Sequence, residues 1–353
     1  VPRADVPSAA LVVPGSLDGR TGGYAYDRAI ADGLRARGWS IDVRELDRTF
    51  PRPSPDALDR AAQTFDAIPA GTVVLVDGLA LGAMPDTIVG HASRLRIVAL
   101  MHLPLAAEVG LEPGESARLA EAERRALGAA ARIVVTGKAA LPLLERYHLA
   151  PARVAVVEPG TARAPVARGS SGPPLQLLTV ATLNPGKGHE DLLTALASVP
   201  RRQWHLTCAG SLTRHPATAD RVGAAIDRLG LGARVALAGE LDGPALEACY
   251  DGADLFVLAT RLETYGMAVA EALAHGLPIV STTTGAIPDL VGGDAGLLVA
   301  PGDTAAMSHA LSRVLCDDEL RASLARGARQ RRTMLRGWEE ASAEMAAVLE
   351  SCP

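Results

Sequence analysis

The feature that most constrains this chain is an alternation of short apolar runs and helical patterns that runs through once, stops, and begins again. The first pass reads AALVVP, a helical stretch through YDRAIADGLRARG, then SIDVREL, TVVLVDG and RIVALMH, a helical stretch through ESARLAEAERRALGAA, and RIVVTG. Apolar strands separated by helices predict a parallel sheet covered on both faces. Between Ala164 and Pro174 the segment APVARGSSGPP has no apolar period and is rich in Gly, Pro and small residues, so it reads as a linker. The second pass is LQLLTVATL, a helix over 189–197, QWHLTCAG, a helix near 219–229, RVALAG, a helix near 244–250, DLFVLAT, a helix over 268–275, and PIVST. Helical patterns over 303–315 and 318–332 follow. The expectation is an α/β chain of two Rossmann-like domains, residues 1–165 and 173–335, with a last helix in 337–353 returning to complete the first. Doubly wound sheets bind ligands beyond the carboxyl ends of their strands, so two facing sheets predict an interdomain cleft with its chemistry on strand-to-helix turns.

Composition narrows the function classes. At 353 residues and 48% hydrophobic, the chain is long enough for two cores. A net charge of −5, without a basic tail or a basic patch interleaved with aromatics, argues against nucleic acid as a partner. The four cysteines, Cys208, Cys249, Cys316 and Cys352, have neither zinc spacing nor the pattern of a disulfide framework. The opening VPRADVPSAALVV lacks the succession of a secretory leader, and no apolar run is long enough to span a bilayer. A cytoplasmic setting is expected, with peripheral membrane contact left open and the oligomeric state undefined. Of the 35 basic residues only Lys138 and Lys187 are lysines, so 33 are arginines and Lys187 stands out by scarcity.

Lys187 sits in LTVATLNPGKGHEDLL, between a strand and a helix start, with Asn184, Gly186 and Gly188. Amides at a helix start favour a phosphate, and a lysine adds a compact charge; a Pro-Gly turn with a solvated lysine is the plainer alternative. The Walker spacing is absent. Glu263 and Glu271 stand eight apart where FVLAT gives way to a helix, with Tyr265, Gly266, Met267 and Ala268 between them offering backbone amides. Among 40 acidic residues that spacing alone is uninformative. In the first half Gly22 and Gly23 open a loop into a helix and allow close backbone approach. His102 and Asp77 end apolar runs, Asp77 being equally suited to a helix cap. Thr136, Lys138 and Glu108 are candidate acceptor contacts. No histidine spacing and no D-x-D sequence suggests a metal, so none is expected.

The run ADLFVLATRLETYGMAVAEALAHGLPIVSTTTGAIPDLV followed by GLLVAPGD closely resembles the donor domain of retaining glycosyltransferases of family 4, which have the GT-B fold. GRTGGYAYDRAIADGLRARG, VALMHLP, VVTGKAALPLL, TVATLNPGKGHEDLL and Trp338 fall in the family's order. The resemblance implies a retaining, metal-independent transfer of a sugar from a nucleoside diphosphate sugar, UDP first and GDP next, to a glycan, lipid or small-molecule hydroxyl. No cofactor beyond the sugar nucleotide is implied. It assigns Glu271 to ribose hydroxyls, Glu263 to hydroxyls of the transferred sugar, Lys187 to the diphosphate, and the 265–268 amides to sugar or phosphate. Gly239, Glu240 and Leu241 fall near the base, Gly22 and Gly23 beside the donor, and His102 at the sugar or acceptor. Where family members often carry Gly-Arg-Leu, this chain has Ala181, Thr182 and Leu183. Arg214 is the proposed substitute for the missing arginine, and Arg261 a weaker one. A sugar-nucleotide epimerase, a phosphorylase or a noncatalytic sugar-nucleotide-binding protein are the alternatives.

Overall fold

The computed structural model describes residues 6–200 and 203–353; residues 1–5 of the expected first domain lie outside the described residues. The chain divides into two compact units, Val1–Gly160 together with Gly337–Pro353, and Thr161–Arg336.

Unit 1 holds strands β1 (Ser8–Pro14), β2 (Ser40–Leu46), β3 (Val73–Asp77), β4 (Arg96–Met101), β5 (Arg132–Val135) and β6 (Val154–Val156). They form one sheet in the order β2-β1-β3-β4-β5-β6, every pair parallel. Central strands are covered on both faces and read as apolar runs, as in VVLVD of β3, buried throughout and polar only at its last residue, Asp77. β2 is an edge strand, and its SIDVREL is a mixture of half-buried and exposed residues that ends on the buried Leu46. The sheet order reverses between β1 and β3, and it is at the carboxyl ends of strands at such a reversal that doubly wound sheets bind ligands.

The helix Trp338–Glu350 belongs to this unit and packs on the helix Gly22–Ala36. Trp338 meets the Tyr26 ring edge-on at 5.7 Å, and the backbone of Gly160 lies so close to Trp338 that a Cβ there would stand 2.3 Å from its nitrogen. A helix over Pro55–Asp66 escapes a reading by apolar runs because its buried face is Ala57, Ala61 and Phe65, two of them small. Its start is nevertheless well specified. Ser54 accepts from the Ala57 amide at 3.2 Å and Pro55 occupies the first helical position.

Unit 2 holds β7 (Leu175–Val180), β8 (Trp204–Ala209), β9 (Val235–Gly239), β10 (Leu255–Val257), β11 (Ile279–Thr282) and β12 (Gly296–Val299). These form a second parallel sheet in the order β12-β11-β10-β7-β8-β9. Numbered from β7, this is the doubly wound order 3-2-1-4-5-6, with its reversal between β7 and β10. Trp204, Leu206, Leu255, Val257 and Val280 fill one side of the sheet; Leu178, Phe256 and Ile279 fill the other. The helices Thr304–Cys316 and Asp318–Arg331 close the unit, and each begins on an aspartate cap, Asp303 to the Ala306 amide at 2.8 Å and Asp317 to the Leu320 amide at 2.9 Å. No helix among the described residues is long and apolar enough to cross a membrane.

Candidate functional site

The reversal point of the second sheet brings together Lys187, from the loop after β7, and Glu263, from the loop after β10. Their side chains form an ion pair in which both are largely shielded from solvent, Glu263 at 12% exposure. Each loop is fixed by its own backbone and by the other. Asn184 Oδ1 accepts from the Lys187 amide at 3.1 Å, capping the single turn Pro185–Lys187. The Gly186 carbonyl accepts from the Arg261 amide at 2.7 Å and from Thr260 Oγ1 at 3.1 Å. Gly188 follows with φ +65, and a Cβ there would stand 2.0 Å from the Ala259 carbonyl oxygen, so only glycine lets the loops approach this closely.

Glu271 lies on the helix Met267–Ala274, half-buried, and its Oε2 accepts from the Tyr250 hydroxyl at 2.9 Å. Burial pushes its carboxyl above the ordinary range; the Tyr250 hydrogen bond opposes this and the charge of Glu247 adds to it. Tyr250 is itself held by a parallel stack on the His275 ring, 4.7 Å between centroids and 6° between planes. Gly266 caps the helix at φ +102, where a side chain would meet Ile287. Tyr265 and Gly266 are buried, whereas Met267 and Ala268 at the helix start are partly open.

Of the other unit 2 candidates, Arg214 lies 3.8 Å from Glu240, the two joining the loops after β8 and β9 with both side chains partly exposed. Gly239 ends β9 at φ +69, and Leu241 beside it is half-buried. Arg261 is committed elsewhere: Nε and Nη2 both donate to Asp191 at 2.9 Å. His189, directly after the Lys187 loop, is buried with both ring nitrogens unpartnered; burial, then the Lys187 charge, pull it down to about 4, so its ring is neutral near pH 7.

Unit 1 gathers a second cluster at its own reversal point. His102 follows β4, and its Nε2 lies 3.0 Å from Asp27 Oδ1 and 3.5 Å from Asp77 Oδ2. Asp77 also caps the turn after β3, its Oδ1 accepting from the Leu79 amide at 2.7 Å. Gly23 packs on the imidazole, where a Cβ would stand 3.3 Å from Cδ2. Gly22 begins the same helix, Gly22–Ala36, with Thr21 as its cap. Glu108 is half-buried, Thr136 is buried with its amide on the Met101 carbonyl at 3.3 Å, and Lys138 is exposed.

Two acids in unit 1 were missed by the motif reading, Asp27 and Glu123. Both stand in register with buried helical positions, Asp27 with Ile30, Ala31 and Leu34, and Glu123 with Leu119, Ala126 and Leu127. An acid on an apolar helix face was the available signal. Glu123 accepts from the amides of Leu105 at 2.5 Å and Ala106 at 3.1 Å and from the Tyr147 hydroxyl at 2.5 Å, and so anchors the loop that follows His102.

Residues 163–331 match the family model described as glycosyl transferases group 1. Among curated proteins the chain is 29% identical over 204 residues to D-inositol 3-phosphate glycosyltransferase of Corynebacterium efficiens, covering 53% of this chain and 48% of that protein. It is 34% identical over 181 residues to glycogen synthase of Mycobacterium tuberculosis, covering 50% and 42%. The chain thus matches about half the length of these relatives or less. Among solved structures, sucrose-phosphate synthase of Thermosynechococcus elongatus aligns with TM-score 0.82 at 22% identity over 98% of both chains. Anabaena HepE with UDP and glucose aligns with TM-score 0.75 at 18% identity over 98% of this chain and 100% of that one. The likeness to glycosyl transferases group 1 therefore lies in residues 163–331, in a chain whose two parallel sheets follow the GT-B fold.

Proposed function

We propose that this chain transfers a sugar from a nucleoside diphosphate sugar to a hydroxyl-bearing acceptor, with retention of anomeric configuration and without a metal ion. The observation that carries this reading is the Lys187–Glu263 pair at the reversal point of the second sheet, beside the open start of the helix Met267–Ala274. Without ligand the two charges neutralise each other. An incoming diphosphate competes for the Lys187 ammonium and leaves Glu263 as an acceptor for sugar hydroxyls. Glu271, one oxygen taken by Tyr250, has the other for the ribose diol. Lys187, the amides of Met267 and Ala268, and Arg214 across the β8 and β9 loops would stabilise the departing diphosphate. In this reading the leaving phosphate takes the acceptor proton, and Glu263 holds the sugar without attacking it. UDP is the first donor nucleotide to try and GDP the second, a choice consistent with the UDP bound by HepE. Glu108, Thr136 and Lys138 of unit 1 are its candidate acceptor contacts.

A thermal-shift screen of nucleoside diphosphates and their sugars, followed by mass spectrometry of products with candidate acceptors, tests the reading. Acceptor-dependent release of the nucleoside diphosphate is expected, unchanged by EDTA, and NMR of the product should show the donor's anomeric configuration retained. Lys187→Ala should lower turnover by roughly a hundredfold or more, the scale for removing one donor from a developing charge. Arg214→Ala should weaken donor binding and turnover to a smaller extent. Sugar-nucleotide conversion without any acceptor would overturn the transferase assignment, and unaltered donor affinity and turnover in Arg214→Ala would remove that residue from the phosphate site.

A further inference from the structure

The cluster in unit 1 is built from three elements. Asp27 comes from the buried face of the helix Gly22–Ala36, Asp77 from the end of β3, and His102 from the residue after β4; one ligand atom from each lies within 4.8 Å of the others. Asp27 is fully buried and Asp77 nearly so, whereas the His102 side chain is 22% exposed, so the histidine is the face the cluster shows to a ligand. The imidazole is clamped. Nε2 is turned inward onto Asp27, Gly23 lies against the Cδ2 edge, and the Tyr26 ring meets it edge-on at 5.2 Å and 80°. Tyr26 is fixed in turn, its hydroxyl donating to the Val157 carbonyl at 2.9 Å. Nδ1 is the ring nitrogen left for a ligand.

We propose that Asp27 and Asp77 are positioning residues that hold His102 as an imidazolium with Nε2 inward, so that Nδ1–H donates a charge-assisted hydrogen bond to a substrate oxygen, a sugar hydroxyl or a phosphate. The ligand part rests on the transferase reading; the state of the ring does not. Two buried carboxylates side by side are not both ionised unless a cation neutralises them. Burial, then the charge of Asp27, push Asp77 up to about 7, so Asp77 holds a proton part of the time near neutrality and the 3.0 Å contact with Asp27 is the one that grips the ring. For His102, burial alone lowers the value, but the charge and hydrogen bond of Asp27, followed by the charge of Asp77, outweigh it and raise the value above the ordinary range. The other close neighbours, Gly23 and Tyr26, bring no group that titrates near neutrality. A neutral His102 with Nε2–H on Asp27 would present Nδ1 as an acceptor, whereas the imidazolium presents a donor.

The test is an NMR titration of the histidine side chains in the full chain, with His102 assigned through His102→Gln. His102 should titrate above free histidine in the parent. Asp27→Asn should shift it to lower pH, and Asp77→Asn should do so by less. Asp77→Asn keeps a side-chain oxygen for the Leu79 amide, so it remains informative if Asp27→Asn fails to fold. The basic limb of the kcat profile should move with the ring, a readout that loss of packing alone does not shift. An unmoved His102 titration in both variants would overturn the proposal. Because the titration needs no turnover, a displaced ring with no sugar-nucleotide-dependent product supports the network and rejects the transferase reading. Turnover with an undisplaced ring rejects the network alone.

Discussion

Lys187 and Glu271 each depend on one neighbour that the motifs did not name. For Lys187 it is Gly188, whose positive φ and approach to the Ala259 carbonyl leave no room for a side chain. Gly188→Ala should therefore displace the loop, lowering stability by about 1–3 kcal/mol on thermal unfolding and turnover along with it. For Glu271 it is Tyr250, which holds one carboxylate oxygen while stacked on His275. Tyr250→Phe keeps the stack and removes the hydrogen bond. Calorimetry with UDP should show binding weakened by about 1–2 kcal/mol, with a smaller loss for a dideoxyribose analogue that lacks the diol. Equal losses for both nucleotides would mean that Tyr250 does not act through ribose recognition. Arg214, the proposed substitute for the arginine absent at Thr182, lies 3.8 Å from Glu240. Lys187 and the two glutamates stood out as candidates because the stretches around them carry the family resemblance. Tyr250 did not, since its partner lies 21 positions away and nothing in the local sequence couples them.

At the level of elements, strands were the easiest to read, because parallel strands buried on both faces are continuous apolar runs. The helix Pro55–Asp66 and the three-residue strand β6 escaped for the same reason in reverse, with small or few buried side chains and so little hydrophobic signal. Where the Trp338–Glu350 helix packs on Gly22–Ala36, Gly33 faces Ser342. A Cβ at Gly33 would stand 1.9 Å from Ser342 Oγ and 2.6 Å from its Cβ. Gly33→Ala should destabilise the protein by about 1–3 kcal/mol in denaturant unfolding, and adding Ser342→Gly should recover part of that loss despite the helix cost of glycine. A double mutant no more stable than Gly33→Ala would show that the helices meet differently.

Over the whole molecule, His189, one of two buried histidines among the described residues of unit 2, links fold to pH. His189 is neutral in the folded chain and titrates near 4, against about 6.5 when unfolded, so the unfolded state binds the extra proton first as pH falls. Its contribution is intact above pH 6.5 and is lost progressively down to about 4, amounting to about 3 kcal/mol by an order-of-magnitude conversion. Chemical denaturation across that range should show the slope, and His189→Gln should flatten it; an unchanged slope would place the titration elsewhere. The sequence by itself determined the α/β class, the doubling of the alternation and the loops that carry Lys187, Glu263 and His102, because apolar period and turn chemistry are local properties. Tertiary structure alone decided strand order, and with it the two reversal points. Only there do Lys187 and Glu263, 76 positions apart, become an ion pair, and Asp27, Asp77 and His102 become one charged cluster. Pairing at that range depends on which strands are neighbours, and no stretch of local sequence encodes it.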